Sequence, residues 1–163
     1  MQKRTLLKLG LIGGVILAGG SLIGTFAGRN PQRDRDMVLQ AVATAVLDTA
    51  LPEQGESRDQ AIRQAVAASN IAIAGLAPAA QAELIQLFTL LAATPTRLAL
   101  AGLSKPWPEA SVQDVAEFLN RWRTHPLALM QSGYHALHDL VAGPWYGNPA
   151  TWAAIGYPGP VAL

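Results

Sequence analysis

Apolar positions recur along most of this chain at the spacing that places them on one face of a helix. Between residues 36 and 142 the pattern predicts five amphipathic helices, separated by polar or proline-containing breaks. The inward-facing positions are Val38, Ala41, Val42, Ala45 and Val46; Ile62, Ala65, Val66, Ser69 and Ile73; Leu84, Leu87, Phe88 and Leu91; Val112, Val115, Ala116 and Leu119; and Leu127, Met130, Tyr134, Leu137 and Val141. Because the connections are short, we expect an all-α fold, a small antiparallel helical bundle.

Local signals predict where several of these helices begin and end. Ser57 with Gln60, and Ser111 with Asp114, have the spacing of a capping box, in which the side chains at the two positions satisfy backbone N–H groups of the first turn. Pro78 suits the first turn of the third helix, and Pro95 is expected to stop or kink it before a bent piece of helix at residues 98–103. The polar segment 29–35, which contains a proline, is predicted to be a linker.

The first 28 residues have the pattern of a bacterial export signal. A basic start is followed by a run without charge from Leu9 to Ala27. The order of residues resembles the twin-arginine signal, with Lys3 at the position of the first arginine, so the general secretory route remains an alternative. The predicted targeting residues are Lys3, Arg4, Leu6, Leu7 and Lys8.

Whether this signal is cleaved stays open at the level of sequence. The residues before Gly28 fit a cleavage site poorly, because Thr25 stands where a smaller residue is usual. The uncharged run would form a helix of roughly 28 Å, close to the ~30 Å hydrocarbon core of a bilayer. The sequence therefore predicts a periplasmic protein, either released or anchored to the inner membrane by an N-terminal helix.

Composition and charge narrow the class of protein further. Half of the residues are hydrophobic and only 14% are charged, a balance that favours packed helices. Nine Lys and Arg against eleven Asp and Glu remain after the first eight residues, so the body is weakly acidic and nucleic acid is not an expected partner. The absence of cysteine excludes disulfides, thiolate metal sites and covalent haem attachment.

Few residues are arranged for chemistry within the chain. His135, His138 and Asp139 share part of one helical face and are the candidates for a metal site, although histidines of this kind are more often structural. No serine lies in the G-x-S-x-G motif of a nucleophile elbow. We therefore expect no catalytic, cofactor-binding or metal-binding residues.

The C-terminal segment 143–163 is predicted to be an irregular tail rich in Gly, Pro and aromatic residues. It holds two of the four Trp and two of the three Tyr. Aromatic side chains bury a large area at a small entropic cost, so such a tail is suited to anchor on a second protein. Folding back over its own bundle is the equally weighted alternative.

This tail resembles that of the small, or gamma, subunit of bacterial membrane-associated FAD-dependent dehydrogenases, the gluconate 2-dehydrogenase subunit 3 type. The resemblance rests on Trp145-Tyr146-Gly147-Asn148, then Trp152, then Ile155-Gly156-Tyr157-Pro158-Gly159, together with the leader and the helical body. The chain departs from the family at Lys3, in having a single Gly before Asn148, and in its short body.

The resemblance implies a non-catalytic subunit that binds, stabilises and co-exports a larger flavoprotein of the glucose-methanol-choline oxidoreductase type. This chain would hold no cofactor, with FAD expected in the partner. The other implied partners are the twin-arginine translocase and a cytochrome c that accepts electrons through the complex. The partner-binding residues are then Trp145, Tyr146, Asn148, Trp152, Ile155, Tyr157 and Pro158. The alternatives are a periplasmic or membrane-anchored helical binding protein without a dehydrogenase partner, and an enzyme or metal protein in its own right, centred on His135, His138 and Asp139.

Overall fold

The computed structural model describes residues 28–152 and 156–159, and over these ranges the chain is helical without any strand. The five long helices are α1 (Pro31–Val46), α2 (Glu56–Ala74), α3 (Pro78–Ala92), α4 (Val112–Arg123) and α5 (Ala128–Tyr146), and a short α6 (Pro149–Trp152) follows. Between α3 and α4 lie a helical turn at Thr94–Thr96, a π-helical turn at Arg97–Ala101 and a 3₁₀ turn at Trp107–Glu109. The predicted all-α class is confirmed.

Helix α1 begins earlier than the sequence analysis predicted, within the segment interpreted as a linker. The Asn30 side chain accepts hydrogen bonds from the backbone N–H groups of Gln32 and Arg33 at 3.0 and 3.2 Å, and Pro31 occupies the first turn. Asn is a favoured N-cap, and proline in the first turn loses no hydrogen bond. The predicted linker 29–35 is therefore wrong, because Asn30 and Pro31 start a helix rather than interrupt the chain.

Helix α1 is the centre of the bundle, and α2, α3, α4 and α5 all pack against it. Its residues Val38, Leu39, Val42 and Ala43 are completely buried. At about 100° per residue these four positions span an arc of about 140°, a wide face that more than one neighbouring helix must cover. Helix α1 is thus covered over most of its circumference, while Gln40 remains exposed.

The helices around α1 are not all antiparallel to it. Asn70 near the end of α2 donates to Asp36 near the start of α1 at 2.9 Å, so α1 and α2 run in opposite directions. In contrast, the middle of α1 lines a cleft with the start of α4, and Val46 at the end of α1 lines another with Arg123 at the end of α4. Helices α1 and α4 thus run in the same general direction, which the long connection between α3 and α4 permits.

Three aromatic rings pack edge to face through the core. Phe118 lies between Trp107 and Trp122, with ring centroids 5.7 and 4.9 Å away. Nε1 of Trp107 donates to the carbonyl of Leu91 at 2.8 Å. That carbonyl would normally accept from the residue four positions later, which is Pro95 and has no N–H. Trp107 therefore satisfies the acceptor that Pro95 leaves free at the end of α3.

Close packing of α4 on α5 depends on a glycine. A Cβ added at Gly133 would lie 2.5 Å from Cζ3 of Trp122, which is shorter than any real contact of this kind. Trp122 cannot easily move away, because it is buried and its Nε1 donates to the carbonyl of Leu100 at 2.9 Å. The glycine allows the ring to lie against the backbone of α5.

The predicted helix starts have mixed outcomes. Ser111 and Asp114 form the expected capping box, with both hydrogen bonds at 3.1 Å, and Pro78 lies in the first turn of α3. The capping box at Ser57 is wrong, because α2 begins at Glu56 and has no side-chain cap. Gly55, with φ of +83°, is the N-cap residue, two positions before the expected Ser57.

Among the described helices, none is by itself long and apolar enough to span a membrane. The pair Pro78–Ala92 and Thr94–Ala101, bent by 84°, meets that condition only when taken together, by length and composition.

Candidate partner-binding surface

The segment predicted to be an irregular tail from residue 143 is partly helical. Helix α5 continues through Pro144 to Tyr146. Leu137, Val141 and Trp145 follow one another at intervals of four residues, and all three are buried. The burial of Trp145, which is only 7% exposed, explains why the helix extends into a segment containing Gly143 and Pro144. The irregular part therefore begins at Gly147.

After α5 the chain turns into α6 through side-chain hydrogen bonds to its own backbone. Asn148 accepts from the N–H of Ala150 at 3.0 Å, which starts the short helix. The hydroxyl of Thr151 donates to the carbonyls of Trp145 and Asn148 at 2.6 and 2.8 Å. These contacts join α6 to the last turn of α5, where the carbonyl of Trp145 also accepts from the N–H of Asn148 at 3.2 Å.

Trp152 holds the last described residues against the end of α5. Its Nε1 donates to the carbonyl of Tyr146 at 2.8 Å, and its ring packs edge to face on Tyr157 at 5.1 Å. The N–H of Tyr157 donates to the carbonyl of Trp152 at 3.0 Å. Gly159, with φ of +95°, passes so near the indole that a Cβ there would lie 3.3 Å from Cζ3. We call Tyr146–Trp152 together with Gly156–Gly159 the C-terminal cap.

The predicted partner-binding residues differ in their exposure to solvent. Trp145 lies in the core of the bundle, whereas Tyr146 and Tyr157 are 43% and 46% exposed and Asn148 and Pro158 are exposed. Trp152 is partly buried between them. Ile155 and the targeting residues Lys3, Arg4, Leu6, Leu7 and Lys8 lie outside the described residues. The large aromatic side chains that the cap presents to solvent are therefore the two phenols, and Asn148 and Pro158 are exposed with them.

No charged side chain belongs to this part of the chain. The 24 residues that follow Asp139 contain no Asp, Glu, Lys, Arg or His. Among the described residues, the side chains with a shifted pKa, Glu83 and Asp114, lie outside the cap. Burial raises the pKa of Glu83. Hydrogen bonds with Ser111 lower the pKa of Asp114, and the bond with the Ser111 side chain has a larger effect than the bond with its backbone. The cap offers rings, hydroxyls and backbone groups, but no charge.

The residues considered for a metal site form a surface cluster. Nδ1 of His138 lies 3.0 Å from Oδ1 of Asp139, and both side chains are substantially exposed. The ring of Tyr134 packs against those of His135 and His138, at 5.2 and 5.5 Å. Over the described ranges, no three His, Asp or Glu side chains come together in a way that would hold a metal ion.

Two further concavities lie along α1. One, of about 190 Å³, lies between α1 and the Trp107–Glu109 turn, and it adjoins a more open one of about 520 Å³ near the start of α1. Both include Met37, Gln40 and Pro108 in their walls. They form a shallow groove with mixed polar and apolar lining.

Comparison with protein-family models, with curated proteins and with solved structures finds no match for this chain. The likeness to the small subunit of flavin dehydrogenases therefore rests on the residues quoted above, most of which belong to the cap.

Proposed function

We propose that this protein is a non-catalytic accessory subunit that binds, stabilises and co-exports a larger FAD-dependent dehydrogenase of the glucose-methanol-choline type. The observation that carries the proposal is the cap itself. Most of the residues that resemble the small-subunit family belong to it, and it exposes two phenol rings within a segment that contains no charged side chain. Exposed aromatic rings on an ordered backbone are well suited to anchor a protein partner.

The proposed division of labour follows from how a flavoprotein is made. FAD is inserted in the cytoplasm, so the large subunit crosses the membrane already folded. A folded cargo without its own signal travels only when it is attached to a chain that has one. Association before export therefore serves the function, and it also stabilises the cargo because the small subunit binds the folded state alone. The complex would reach the periplasm, free or held to the inner membrane, and pass electrons to a cytochrome c.

The leader and the partner can be tested together in the native cells. The tagged chain is purified from the periplasm, and the associated protein is identified by mass spectrometry and by its flavin absorbance. Replacing Lys3 and Arg4 with Gln should leave the flavoprotein in the cytoplasm. The matched control replaces Arg33 and Arg63, two exposed arginines of the body, and should leave export unchanged. Flavoprotein activity that still reaches the periplasm in the leader variant would refute the export role.

The alternative is a periplasmic or membrane-anchored helical binding protein without a dehydrogenase partner. The groove along α1 is the observation that favours it, since it joins an apolar wall at Trp107 and Pro108 to polar groups such as Gln40. On this alternative the chain purifies from the periplasm without any flavoprotein, whatever the state of its cap.

A further inference from the structure

The turn between α2 and α3 carries a group of exposed apolar residues. Ile71 is 75% exposed and Leu76 is 38% exposed, and the other residues from 72 to 80 are Ala, Ile, Gly and Pro, most of them exposed. We call residues 71–80 the α2–α3 tip. Single exposed apolar side chains are ordinary on a protein surface, whereas a continuous apolar group marks a site of contact with a partner or a membrane. The tip is therefore a candidate docking surface.

Polar backbone groups of the tip are paired within the protein. Nε2 of Gln81 donates to the carbonyls of Ala74 and Leu76 at 3.2 and 2.8 Å. The carbonyl of Ala77 accepts from the N–H of Gln81 at 3.1 Å. The N–H of Leu76 donates to the carbonyl of Ile73, also at 3.1 Å. A turn in water can leave such groups to the solvent, but a turn in lipid must pair them internally, so this tip is suited to contact with lipid.

The tip lies at the end of the bundle from which the N-terminal segment leaves. Asn70 of α2 donates to Asp36 of α1 at 2.9 Å, and the two helices run in opposite directions. From Asp36, α1 extends back about 7 Å to Pro31, and from Asn70, α2 extends on about 6 Å to Ala74. The end of α2 is therefore nearly level with the start of α1, and the tip projects from there, at the same end as Gly28.

The segment before Gly28 brings this end of the bundle to a bilayer. The uncharged run from Leu9 to Ala27 is long enough to span the hydrocarbon core, and Asn30 already caps α1 three residues after that run. Three residues of fully extended chain cover only about 10 Å. When the run stays in the membrane, the start of α1 is therefore held close to the lipid surface, together with the α2–α3 tip.

The charged side chains around the tip do not oppose contact with an anionic membrane. Both carboxylates in the first two turns of α1 are paired with arginine, at N–O distances of 2.7 and 3.6 Å: Asp34 with Arg29 and Asp36 with Arg35. Arg33 is exposed and forms no ion pair with another described residue. Glu83 of α3 is partly buried, and on α5, which also packs against α2, no charged residue follows Asp139. The exposed arginine suits the phosphates of lipid headgroups.

We propose that the α2–α3 tip inserts Ile71 and Leu76 into the interfacial layer of a phospholipid bilayer, as a second contact beside the N-terminal anchor. Other proteins in the same bilayer, including a second copy, would meet this chain through its sides, whereas the tip lies at the end that the anchor holds to the lipid. Two contacts fix the orientation of the bundle, which a single flexible tether leaves free. This proposal depends on the anchored form of the chain and not on the flavoprotein.

The test places a fluorescent probe at single sites of the full chain in vesicles of phosphatidylethanolamine and phosphatidylglycerol. The sequence contains no cysteine, so Ile71→Cys or Leu76→Cys gives one attachment site for nitrobenzoxadiazole. Lipids with a nitroxide on the acyl chain should quench either probe at least about twofold. The matched control is Leu127→Cys, 59% exposed before α5, because the start of α5 lies beside the end of α1: Tyr134 and Val46 line one cleft. Its probe should stay in water and be quenched little.

A second set of variants separates the native side chains from the probe. The probe is kept at Ala77→Cys, an exposed position of the tip, while Ile71→Ser and Leu76→Ser are introduced together. Most of the quenching should then disappear, because the two apolar side chains that stabilise insertion are gone. Leu127→Ser in the same labelled chain should change nothing. Far-ultraviolet circular dichroism of each variant checks that the helices are retained.

Several results would overturn the proposal. Probes at residues 71 and 76 that are quenched no more than the probe at residue 127 would do so, as would quenching that survives both serine substitutions. Burial of these probes without lipid, by self-association or by added flavoprotein, would assign the tip to another occupant. A chain that is released from the membrane after export, with the flavoprotein still bound, would remove this contact and leave the proposed function intact. A chain anchored through the tip without any flavoprotein would do the reverse.

Discussion

Trp107 and Trp152 make the same hydrogen bond in different surroundings, and replacing each with Phe tests what stabilises the fold. Each Nε1 donates to a backbone carbonyl at 2.8 Å, Trp107 to Leu91 and Trp152 to Tyr146. Trp107 is 1% exposed, whereas Trp152 is only partly buried. Water can therefore replace the lost donor at Tyr146 but not at Leu91.

The expected costs follow from this difference. Trp107→Phe leaves the carbonyl of Leu91 buried without a donor, because Pro95 has no N–H to offer, and this costs about 1–3 kcal/mol. The smaller ring adds a cavity beside Phe118 that costs about 1 kcal/mol more. We expect Trp107→Phe to lower the free energy of unfolding by about 2–4 kcal/mol, and Trp152→Phe to lower it by less than about 1 kcal/mol.

Urea denaturation of the two variants and of the unaltered chain, followed by far-ultraviolet circular dichroism, measures both values. The slope of the free energy against urea should be the same for all three proteins, so that the midpoints report stability. Equal and small losses for the two variants would refute the reasoning, since they would mean that burial does not decide the value of this hydrogen bond. A large loss for Trp152→Phe alone would place the critical bond in the cap instead.

Three further changes test the helix contacts by the same assay. Gly133→Ala should lower the free energy of unfolding by about 1–2 kcal/mol, because overpacking against Trp122 exceeds the gain in helix propensity. Ser111→Ala should cost about 1 kcal/mol through loss of the cap of α4. Since the pKa of Asp114 is lowered in the folded chain, its contribution is present above its ordinary pKa and is lost as the pH falls through the folded value. Asp114→Asn should therefore destabilise near neutral pH and have little effect in strong acid.

The sequence predicts a helix well where its apolar residues form one face that packs against one other helix. The start of α4 at Ser111 was predictable because both members of the capping box lie within four residues of each other. The start of α1 was missed because proline was taken as a sign of a linker, although Asn30 directly before it is the signal of an N-cap. The central position of α1 was also missed, since a helix buried on several sides shows only a weak stripe.

The residue types of the C-terminal segment indicated a candidate surface. They did not indicate which of its residues are buried and which are exposed. Trp145 was predicted to bind the partner, yet its spacing from Leu137 and Val141 places it in the core. The sequence contains that spacing, but Gly143 and Pro144 directly before Trp145 favoured the prediction of an irregular tail. The close approach of Gly159 to the ring of Trp152 brings together residues seven positions apart, and no local pattern reveals it.

The place of α1 in the bundle has a mechanical consequence for a chain that is pulled from its N-terminal side. Tension applied ahead of Gly28 enters the molecule through Arg29, which is joined to Asp34 by two hydrogen bonds of 2.7 and 2.9 Å, and then through α1. All four of the other long helices share that helix as their neighbour. Because force from this direction acts first on a helix that every other long helix contacts, we expect the described bundle to unfold as a unit rather than stepwise from its N-terminal end.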